Sequence, residues 1–153
     1  MTDLTPEDPG RAPGISLGVL MFIPYRHMEQ RILAAVVDAG HPITLAQARI
    51  FQRIDHQGSR LTSLAESAQL TKQAAGFLVD QLERAGYVER VPDHGDGRAR
   101  IIRVTRRGYD VIAVATAEQA NIEDEWTSHL GPRASKGLRT TLERLREITD
   151  PFR

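Results

Sequence analysis

The sequence predicts a mainly α-helical fold with one small β-hairpin. Helix-forming residues such as Ala, Leu, Arg, Glu and Gln dominate the composition, whereas aromatic residues make up only 5%. Apolar residues recur at helical spacing through most of the chain. The stretch "VERVPDHGDGRARIIRV" (88–104) instead places two segments of strand-forming residues around Pro, Asp and Gly. A chain of 153 residues is long enough for one domain with its own core.

The composition excludes several functional classes. The chain has no cysteine, which excludes disulfides, cysteine-based zinc sites and thiol chemistry. Residues 1–14, "MTDLTPEDPGRAPG", are acidic and rich in Pro and Gly, so we expect a disordered tail rather than a signal peptide. No apolar run is long enough to cross a membrane. A cytoplasmic location is therefore expected.

A formal net charge of zero conceals an uneven distribution. Residues 1–10 contain three acidic residues, and residues 86–108 contain six arginines against three acidic residues. Residues 109–130 contain five acidic residues and no Lys or Arg. This pattern excludes a nonspecific polycation but allows a local phosphate-binding face. Because like charges repel, each segregated run needs a use or a compensating partner.

The N-terminal part predicts two helices. Apolar residues favour a long helix over 15–37, in which Pro24 must either produce a kink or start a new helix. Gly40, His41 and Pro42 end this segment. Thr44 then caps a short helix over 45–54, and residues 55–59 form a loop.

Two short helices follow in quick succession. Thr62 or Ser63 caps the first helix, and Ser63 with Glu66 fits a capping box. Thr71 caps the second helix, which runs from residue 72 to about 84, and Gly86 ends it in the left-handed conformation. Two helices joined by a turn of three or four residues form a helix-turn-helix.

The helix-turn-helix is followed by the hairpin and two more helices. The strands carry Val88, Val91, Ile102 and Val104, while Pro92 and the glycines are expected at the tip. A two-stranded ribbon in this place defines a winged helix, over 45–108. A long helix from 106 to about 129 ends at Gly131-Pro132, and a last helix over about 134–148 has one apolar stripe.

The helix over 72–84 has two different faces. Its buried face is predicted to contain Ala75, Leu78, Val79 and Leu82. The outward face contains Gln73, Phe77, Asp80 and Arg84, with Gly76 beside them. Gln can pair with adenine in the major groove, and Lys72 can reach a guanine or a phosphate. For Phe77 two interpretations stay open: contact with a thymine methyl, or packing against the wing or another loop, which is the commoner arrangement. Gly76 permits close approach either of DNA or of a neighbouring helix.

The hairpin arginines also allow two interpretations. Exposed Arg often simply solvates an edge strand. However, a ribbon placed directly after a helix-turn-helix lies where its tip can reach the adjacent minor groove, whose negative potential attracts Arg. Asp96 is expected to pair with Arg98 and fix its rotamer. The hairpin is therefore predicted to be a phosphate and minor-groove probe.

The segment "LTSLAESAQLTKQAAGFLVDQLERAGYVERVPDHGDGRARIIRVTRRG" resembles the MarR family of bacterial transcription regulators, and the likeness extends over residues 15–150. The matching positions of the wing signature are Asp93, Asp96, Arg98, Ala99, Thr105 and Gly108. Gly97 departs from the pattern, because the family more often has Arg there. Arg100 is expected to replace part of the missing charge.

The resemblance implies a homodimer bound to a pseudo-palindromic operator of double-stranded DNA. Helices within 15–40 and 109–150 would interlock, which agrees with apolar stripes that the winged helix alone cannot cover. The two recognition helices would then lie about 34 Å apart, one turn of duplex. The DNA-facing positions implied for this sequence are Thr71, Lys72, Gln73, Gly76, Asp96, Arg98 and Arg100.

The resemblance also implies a small aromatic or anionic effector that releases the DNA. The matching pocket positions are Phe22, Tyr25, Arg26, Met28, Arg49, Phe51 and Tyr109. Aromatic faces and a cation suit a phenolic acid; alternatively, these aromatics belong to the core and the arginines are solvated. No cofactor is expected, and no metal, since the five histidines are scattered and only His94 lies near carboxylates, at the wing tip.

The functional prediction is a ligand-responsive, dimeric, sequence-specific DNA-binding regulator, most simply a repressor. No nucleophile elbow or phosphate loop is present in the sequence, so an enzyme is not expected. The alternative is a winged helix used for protein–protein contact without DNA binding. Small residues at 74–76 and the single Lys on that helix keep this alternative open.

Overall fold

The computed structural model describes residues 14–151; of the predicted tail, residues 1–13 lie outside the described residues. Within this range the chain forms six helices and one antiparallel two-stranded sheet, so the predicted fold class is confirmed. The elements in chain order are α1 (Leu17–Asp38), α2 (Leu45–Phe51), α3 (Leu61–Ser67), α4 (Lys72–Arg84), β1 (Val88–Asp93), β2 (Asp96–Val104), α5 (Arg106–Leu130) and α6 (Pro132–Thr149). None of these helices is both long enough and apolar enough to span a membrane.

α1 is a single helix that passes through Pro24. The sequence allowed a new helix to start there, and that option is wrong. Proline removes one backbone donor, but the helix continues on both sides of it. At the N-terminus, the Ser16 hydroxyl accepts a hydrogen bond from the Val19 N–H at 3.4 Å.

The two short helices before α4 differ from the prediction at one end each. α2 begins after Thr44, whose capping box with Gln47 is complete, but it ends at Phe51 rather than Ile54. α3 begins at Leu61 after Arg60, and no side chain caps it, so the predicted Thr62 or Ser63 cap is wrong. The backbone of Ser59 pairs with Ile102 through bonds of 2.8 and 2.9 Å. This pairing keeps the chain extended until Arg60, and Thr62 and Ser63 therefore lie inside the first turn.

α4 has the predicted bounds and ends. The Thr71 hydroxyl accepts from the Ala74 N–H at 3.1 Å. Gly86, with φ of 82°, follows the helix in the left-handed region, where glycine carries no steric penalty. The turn between α3 and α4 contains Gln69 at φ 55°.

The hairpin strands extend further towards the tip than predicted. Pro92 pairs with Arg100 inside the sheet, and Gly97 belongs to β2, so their expected place in the turn is wrong. The turn itself consists of His94 and Gly95. The register shifts between Pro92 and Asp93, because Asp93 pairs with Asp96. Such an irregularity accommodates a proline that cannot donate to the ladder.

α5 and α6 meet at a sharp corner. α5 ends at Leu130, Gly131 has φ of 85°, and Pro132 is already in the first turn of α6. α6 therefore begins two residues before the predicted residue 134, since proline suits the first helical position. No residue of α6 is buried within the described chain.

The core lies between the first five helices, α1 to α5, and the base of the hairpin. Its most deeply buried large side chains are Tyr87, Ile50, Leu64, Leu82, Ile102, Ile122, Val79 and Val88. α4 and the hairpin pack on this core from one side, which holds the remaining face of α4 towards solvent.

Candidate nucleic-acid interface

α4 presents the polar face that the sequence predicted. Ala75 and Val79 are fully buried and Leu82 nearly so, while Leu78 is half-buried. Lys72 and Gln73, on the other side of the helix, are exposed. The periodicity of the apolar residues was therefore sufficient to orient this helix.

The N-terminus of α4 combines a cap with an unpaired cation. The Thr71 oxygen is used by the Ala74 N–H, which leaves the Thr71 O–H available as a donor. Lys72 makes no ion pair with any carboxylate in the described part of the chain. A helix N-terminus carries partial positive charge, so both side chains lie where a phosphate is favoured.

Phe77 does not pack against the wing or another loop. Its residue surface is 59% exposed, so the packing that the sequence favoured is absent from residues 14–151. The neighbouring Gly76 is not enforced by packing either: a Cβ there would have Leu61 Cδ2 as its nearest neighbour, at 3.6 Å. Among the described residues, close approach of another helix does not explain Gly76.

Two of the four hairpin arginines are held by carboxylates. Arg90 contacts Asp80 at 2.8 Å and Glu83 at 2.5 Å, joining β1 to α4. Arg103 contacts Glu89 on the opposite strand at 2.6 Å. For these two arginines a structural role is the correct interpretation.

The other two hairpin arginines carry uncompensated charge. The guanidinium groups of Arg98 and Arg100 are exposed and form no hydrogen bond or ion pair with any residue between 14 and 151. The predicted pairing of Asp96 with the Arg98 side chain is wrong. The Asp96 carboxylate instead accepts from the Arg98 backbone N–H at 3.1 Å, because a short Asp side chain reaches the backbone two residues on.

The hairpin tip is tied to the start of α3 by Asp93. One carboxylate oxygen accepts from the Gly95 N–H at 3.0 Å, and the other accepts from the Arg60 guanidinium at 2.5 and 3.1 Å. The backbone hydrogen bond from Gly95 and then the hydrogen bond from the Arg60 side chain lower the pKa of Asp93. Arg60 was missed by sequence reasoning, because one basic residue before a short helix carries no distinguishing signal.

The base of the hairpin is joined to α5 by Thr105 and Arg107. The Thr105 hydroxyl donates to the Gly86 carbonyl at 2.6 Å and accepts from the Gly108 N–H at 3.2 Å. The Arg107 guanidinium lies 4.8 Å from the centroid of the Tyr87 ring and donates to its hydroxyl at 3.1 Å. Arg107 is therefore part of the framework that positions the hairpin.

The predicted effector residues divide into core and surface. Phe51 is 6% exposed and belongs to the core, as the alternative interpretation held, and Met28 is half-buried. Phe22, Tyr25 and Tyr109 are exposed, and Arg26 lies 5.9 Å from the Phe22 ring centroid. These exposed side chains are available to a ligand or to a partner.

Arg49, the other predicted effector cation, is already neutralised. Its guanidinium donates to both oxygens of Glu29 at 2.8 and 3.0 Å, and the Tyr25 hydroxyl donates to the same carboxylate at 3.3 Å. The hydrogen bond from Arg49 is the main cause of the lowered pKa of Glu29. This pair connects α1 to α2.

The acidic run of α5 finds partners on α1 and α6. Arg31 contacts Glu118 at 2.6 Å and Glu125 at 2.5 Å, and these bonds raise the pKa of Arg31 and lower that of Glu125. Arg139 contacts Glu123 at 2.8 Å. Three of the five acidic residues in this run are thus compensated by arginines of the same chain.

A metal centre has no support in the described residues. Between 14 and 151, no group of three or more His, Cys, Asp or Glu side chains could hold a metal ion. At the hairpin tip, Asp93 is engaged by Arg60 and Gly95, and Asp96 by the Arg98 N–H.

A helix-turn-helix followed by an Arg-bearing two-stranded hairpin defines the winged-helix class of proteins. Residues 43–99 match the sequence profile of the MarR family. This match and the solved structures described next confirm the resemblance to the MarR family that was seen in the sequence.

Solved structures of similar fold agree with the resemblance to the MarR family. The transcriptional regulator Tm0710 from Thermotoga maritima is 29% identical, with 87% of this chain and 92% of that chain covered and a TM-score of 0.63. MarR is 26% identical over 88% and 98% of the two chains, with a TM-score of 0.71. A mutant of MepR from S. aureus bound to an oligodeoxyribonucleotide is 19% identical over 89% and 99%, with a TM-score of 0.59. No curated protein matches the sequence. The regulators that it resembles are not enzymes.

Proposed function

We propose that this chain is a dimeric, sequence-specific DNA-binding repressor that a small molecule releases from its operator. The observation that carries the proposal is the division of charge in the winged helix. Arg90 and Arg103 are neutralised, whereas Lys72, Arg98 and Arg100 are exposed and unpaired within the described chain. Unpaired cations on a recognition helix and a wing suit the phosphates of a duplex.

The proposed interface separates positioning from reading. The Thr71 O–H, the Lys72 ammonium and the Arg98 and Arg100 guanidinium groups contact phosphates or the minor groove. Gln73 reads a base edge in the major groove, where its amide can pair with adenine. Gly76 lets the helix approach the groove closely, and Asp96 holds the wing backbone that carries Arg98. In this proposal residues 45–108 form the DNA-binding unit.

The dimer is supported by apolar surface that residues 14–151 leave exposed. Exposed apolar residues of α1 are Leu17, Val19, Leu20, Met21, Phe22 and Ile23, and those of α6 are Leu138, Leu142 and Ile148. Exposed apolar residues in this number are typical of an interface between subunits. We therefore assign residues 15–40 and 109–150 to dimerisation. A twofold axis would place the two recognition helices one turn of duplex apart.

The proposed effector is a small aromatic anion. The exposed rings of Phe22, Tyr25 and Tyr109, together with the Arg26 cation, provide the stacking faces and the charge. Arg49 can join only if the ligand replaces Glu29, and Phe51 would line the site from the core side. Such a ligand would lie between the dimerisation helices and the winged helix.

Selection from a pool of random duplexes tests the DNA-binding function directly. The proposal expects an enriched palindrome whose half-sites lie one helical turn apart. The protein, proposed to be a cytoplasmic regulator, would bind this palindrome as a dimer. Failure to enrich any sequence would instead favour a winged helix used for protein–protein contact.

Replacing Gln73 with Ala tests base reading. If Gln73 reads a base, the Gln73→Ala variant loses about 1–3 kcal/mol on the selected operator but little on random DNA. Binding isotherms on the two duplexes measure this difference. Equal losses on both would exclude Gln73 as a base reader.

Replacing Arg98 with Ala tests the wing. The Arg98→Ala variant should bind more weakly and show a salt dependence reduced by about one phosphate contact. Arg103→Ala is the matched control. Arg103 lies on the same strand as Arg98, but its charge is already neutralised by Glu89 of the opposite strand. If the two variants have the same salt slope as the wild type, Arg98 does not contact phosphate.

A further inference from the structure

We propose that Phe77 recognises the methyl group of a thymine in the operator, so that this side chain sets a thymine requirement in each half-site. The inference rests on the proposed DNA-binding function and goes beyond it, because it names an apolar contact on a helix whose other predicted contacts are polar.

The exposure of Phe77 calls for a covering partner. The residue is 59% exposed in the middle of α4, although the opposite face of the same helix is fully buried. An aromatic ring left in water forgoes the stabilisation that burial of its apolar area would provide. Within the described chain, more than half of the surface of this residue stays open to solvent.

Phe77 lies on the same side of α4 as Gln73. The two residues are four apart in one helix, so they are neighbours along one face, separated by about one helical turn or 5.4 Å. Successive base pairs are about 3.4 Å apart along a duplex. If Gln73 reads one base, the ring of Phe77 meets a base about one or two steps away.

The charges around Phe77 leave it in an environment suited to an apolar contact. Asp80, the next residue on this side of α4, would repel phosphates, but its carboxylate is held by Arg90 at 2.8 Å. The ring itself has neither donor nor acceptor. The apolar group that a base edge presents in the major groove is the C5 methyl of thymine.

Phe77 also lies apart from the surface assigned to dimerisation. The exposed apolar residues of the segments assigned to dimerisation lie on or next to α1, α5 and α6, whereas Phe77 lies on α4 between Gly76 and Leu78. A duplex that receives Lys72 and Gln73 from the first turn of α4 reaches Phe77 one turn later. This continuity with the polar contacts favours DNA over a second protein as the occupant.

Single replacement of thymine by deoxyuridine isolates the methyl group. In the selected operator, each thymine of a half-site is replaced in turn, and the affinities of the wild type and of Phe77→Ala are measured. The proposal expects one or two positions at which the replacement weakens wild-type binding about three- to tenfold. At those positions Phe77→Ala binds both duplexes equally. Phe77→Leu, which keeps an apolar side chain, should retain part of the discrimination.

Gln73→Ala is the control that separates the two kinds of reading. It should weaken binding but keep the sensitivity to deoxyuridine, because the ring is still present. If wild type and Phe77→Ala respond alike to every deoxyuridine, the Phe77 inference is overturned while the DNA-binding function stands. If the wild type binds no duplex at all, the proposed function fails as well.

Thermal unfolding and sedimentation of Phe77→Ala distinguish a DNA contact from a role in folding or subunit association. Because Phe77 is exposed, Phe77→Ala should unfold at the wild-type temperature and keep the wild-type mass in sedimentation. A loss of subunit association in this variant would show that the ring contacts a second protein chain, and it would overturn the assignment to thymine.

Discussion

Gly108 shows how closely the start of α5 is fitted to the hairpin base. A Cβ at this position would lie 2.3 Å from the Tyr87 carbonyl oxygen and 2.6 Å from Val104 Cγ1. The carbonyl is backbone and cannot rotate away, so any side chain would push α5 from the hairpin. Glycine is required here by close approach rather than by its backbone angles.

Gly108→Ala is therefore expected to lower the free energy of unfolding by about 1–3 kcal/mol or more, the usual range for overpacking. Gly137→Ala is the matched control. It lies in the exposed helix α6 with no atom within 4 Å of the added Cβ, so helix propensity should stabilise it by up to about 1 kcal/mol. Urea denaturation measures both, and a neutral Gly108→Ala would contradict the close approach.

The Glu29–Arg49 pair predicts a pH dependence of stability. The hydrogen bond from Arg49 lowers the pKa of Glu29 in the folded chain, so the pair contributes fully above the ordinary glutamate pKa of about 4.3. Its contribution is lost as the pH falls through the lower folded value. Glu29→Gln should thus be less stable than the wild type at pH 7, with the gap closing towards pH 3. Thermal unfolding across this range checks it, and a gap independent of pH would contradict it.

Single residues that act on their own backbone were predictable from the sequence. Thr44 and Thr71 cap helices as expected, and Thr105 caps α5 in the same way, because each bond spans three residues. Ser63 failed as a cap because a distant pairing, between Ser59 and Ile102, decided where α3 starts. Local hydrogen bonds can be predicted from spacing, whereas a nonlocal strand contact cannot.

At the scale of elements, the hairpin is held in place at its tip as well as at its base. The Asp93 carboxylate accepts hydrogen bonds from the Gly95 N–H and the Arg60 guanidinium, and the Asp96 carboxylate accepts one from the Arg98 N–H. Both carboxylates are therefore engaged by the backbone or by Arg60, and the guanidinium groups of Arg98 and Arg100 remain available to bind phosphate. The sequence could predict a hairpin from its alternating residues and turn residues, but the irregular register at Pro92 depends on the partner strand.

Asp93→Ala should loosen the tip. The amide of Gly95 loses its acceptor, so its hydrogen exchange should accelerate several-fold, and the tip should lose its tie to Arg60. Asp96→Ala is the control, in which the Arg98 amide should be affected instead. Residue-resolved exchange by NMR distinguishes the two, and unchanged Gly95 exchange in Asp93→Ala would show that the tie is not formed in solution.

At the scale of the whole molecule, a neutral chain leaves Lys72, Arg98 and Arg100 unpaired, within its described part, where DNA is proposed to bind. Glu118, Glu123 and Glu125 of α5 are engaged by Arg31 and Arg139. The charge runs were visible in the sequence. Which charges cancel could not be predicted, because α1, α5 and α6 approach one another only in the folded chain.

Subunit association should depend on the apolar face of α6. Leu138 and Leu142 are exposed in one chain, so Leu138→Glu together with Leu142→Glu should spare the fold but place charges in the interface. Thr140→Glu, on the opposite side of the same helix, is the control. Sedimentation at micromolar concentration should show monomers for the first variant and dimers for the control. Dimers in both would exclude this face from the interface.

The length of α5 has a mechanical consequence. Its 25 residues form a rod of about 37 Å. One end is fastened to the hairpin and recognition helix through Thr105 and Gly86, and the other ends at the Gly131 corner. A rod of this length converts a tilt of ten degrees at one end into a displacement of about 6 Å at the other. In the proposed dimer, a modest rearrangement at the subunit interface would thus displace the recognition helix α4 by more than one base-pair step.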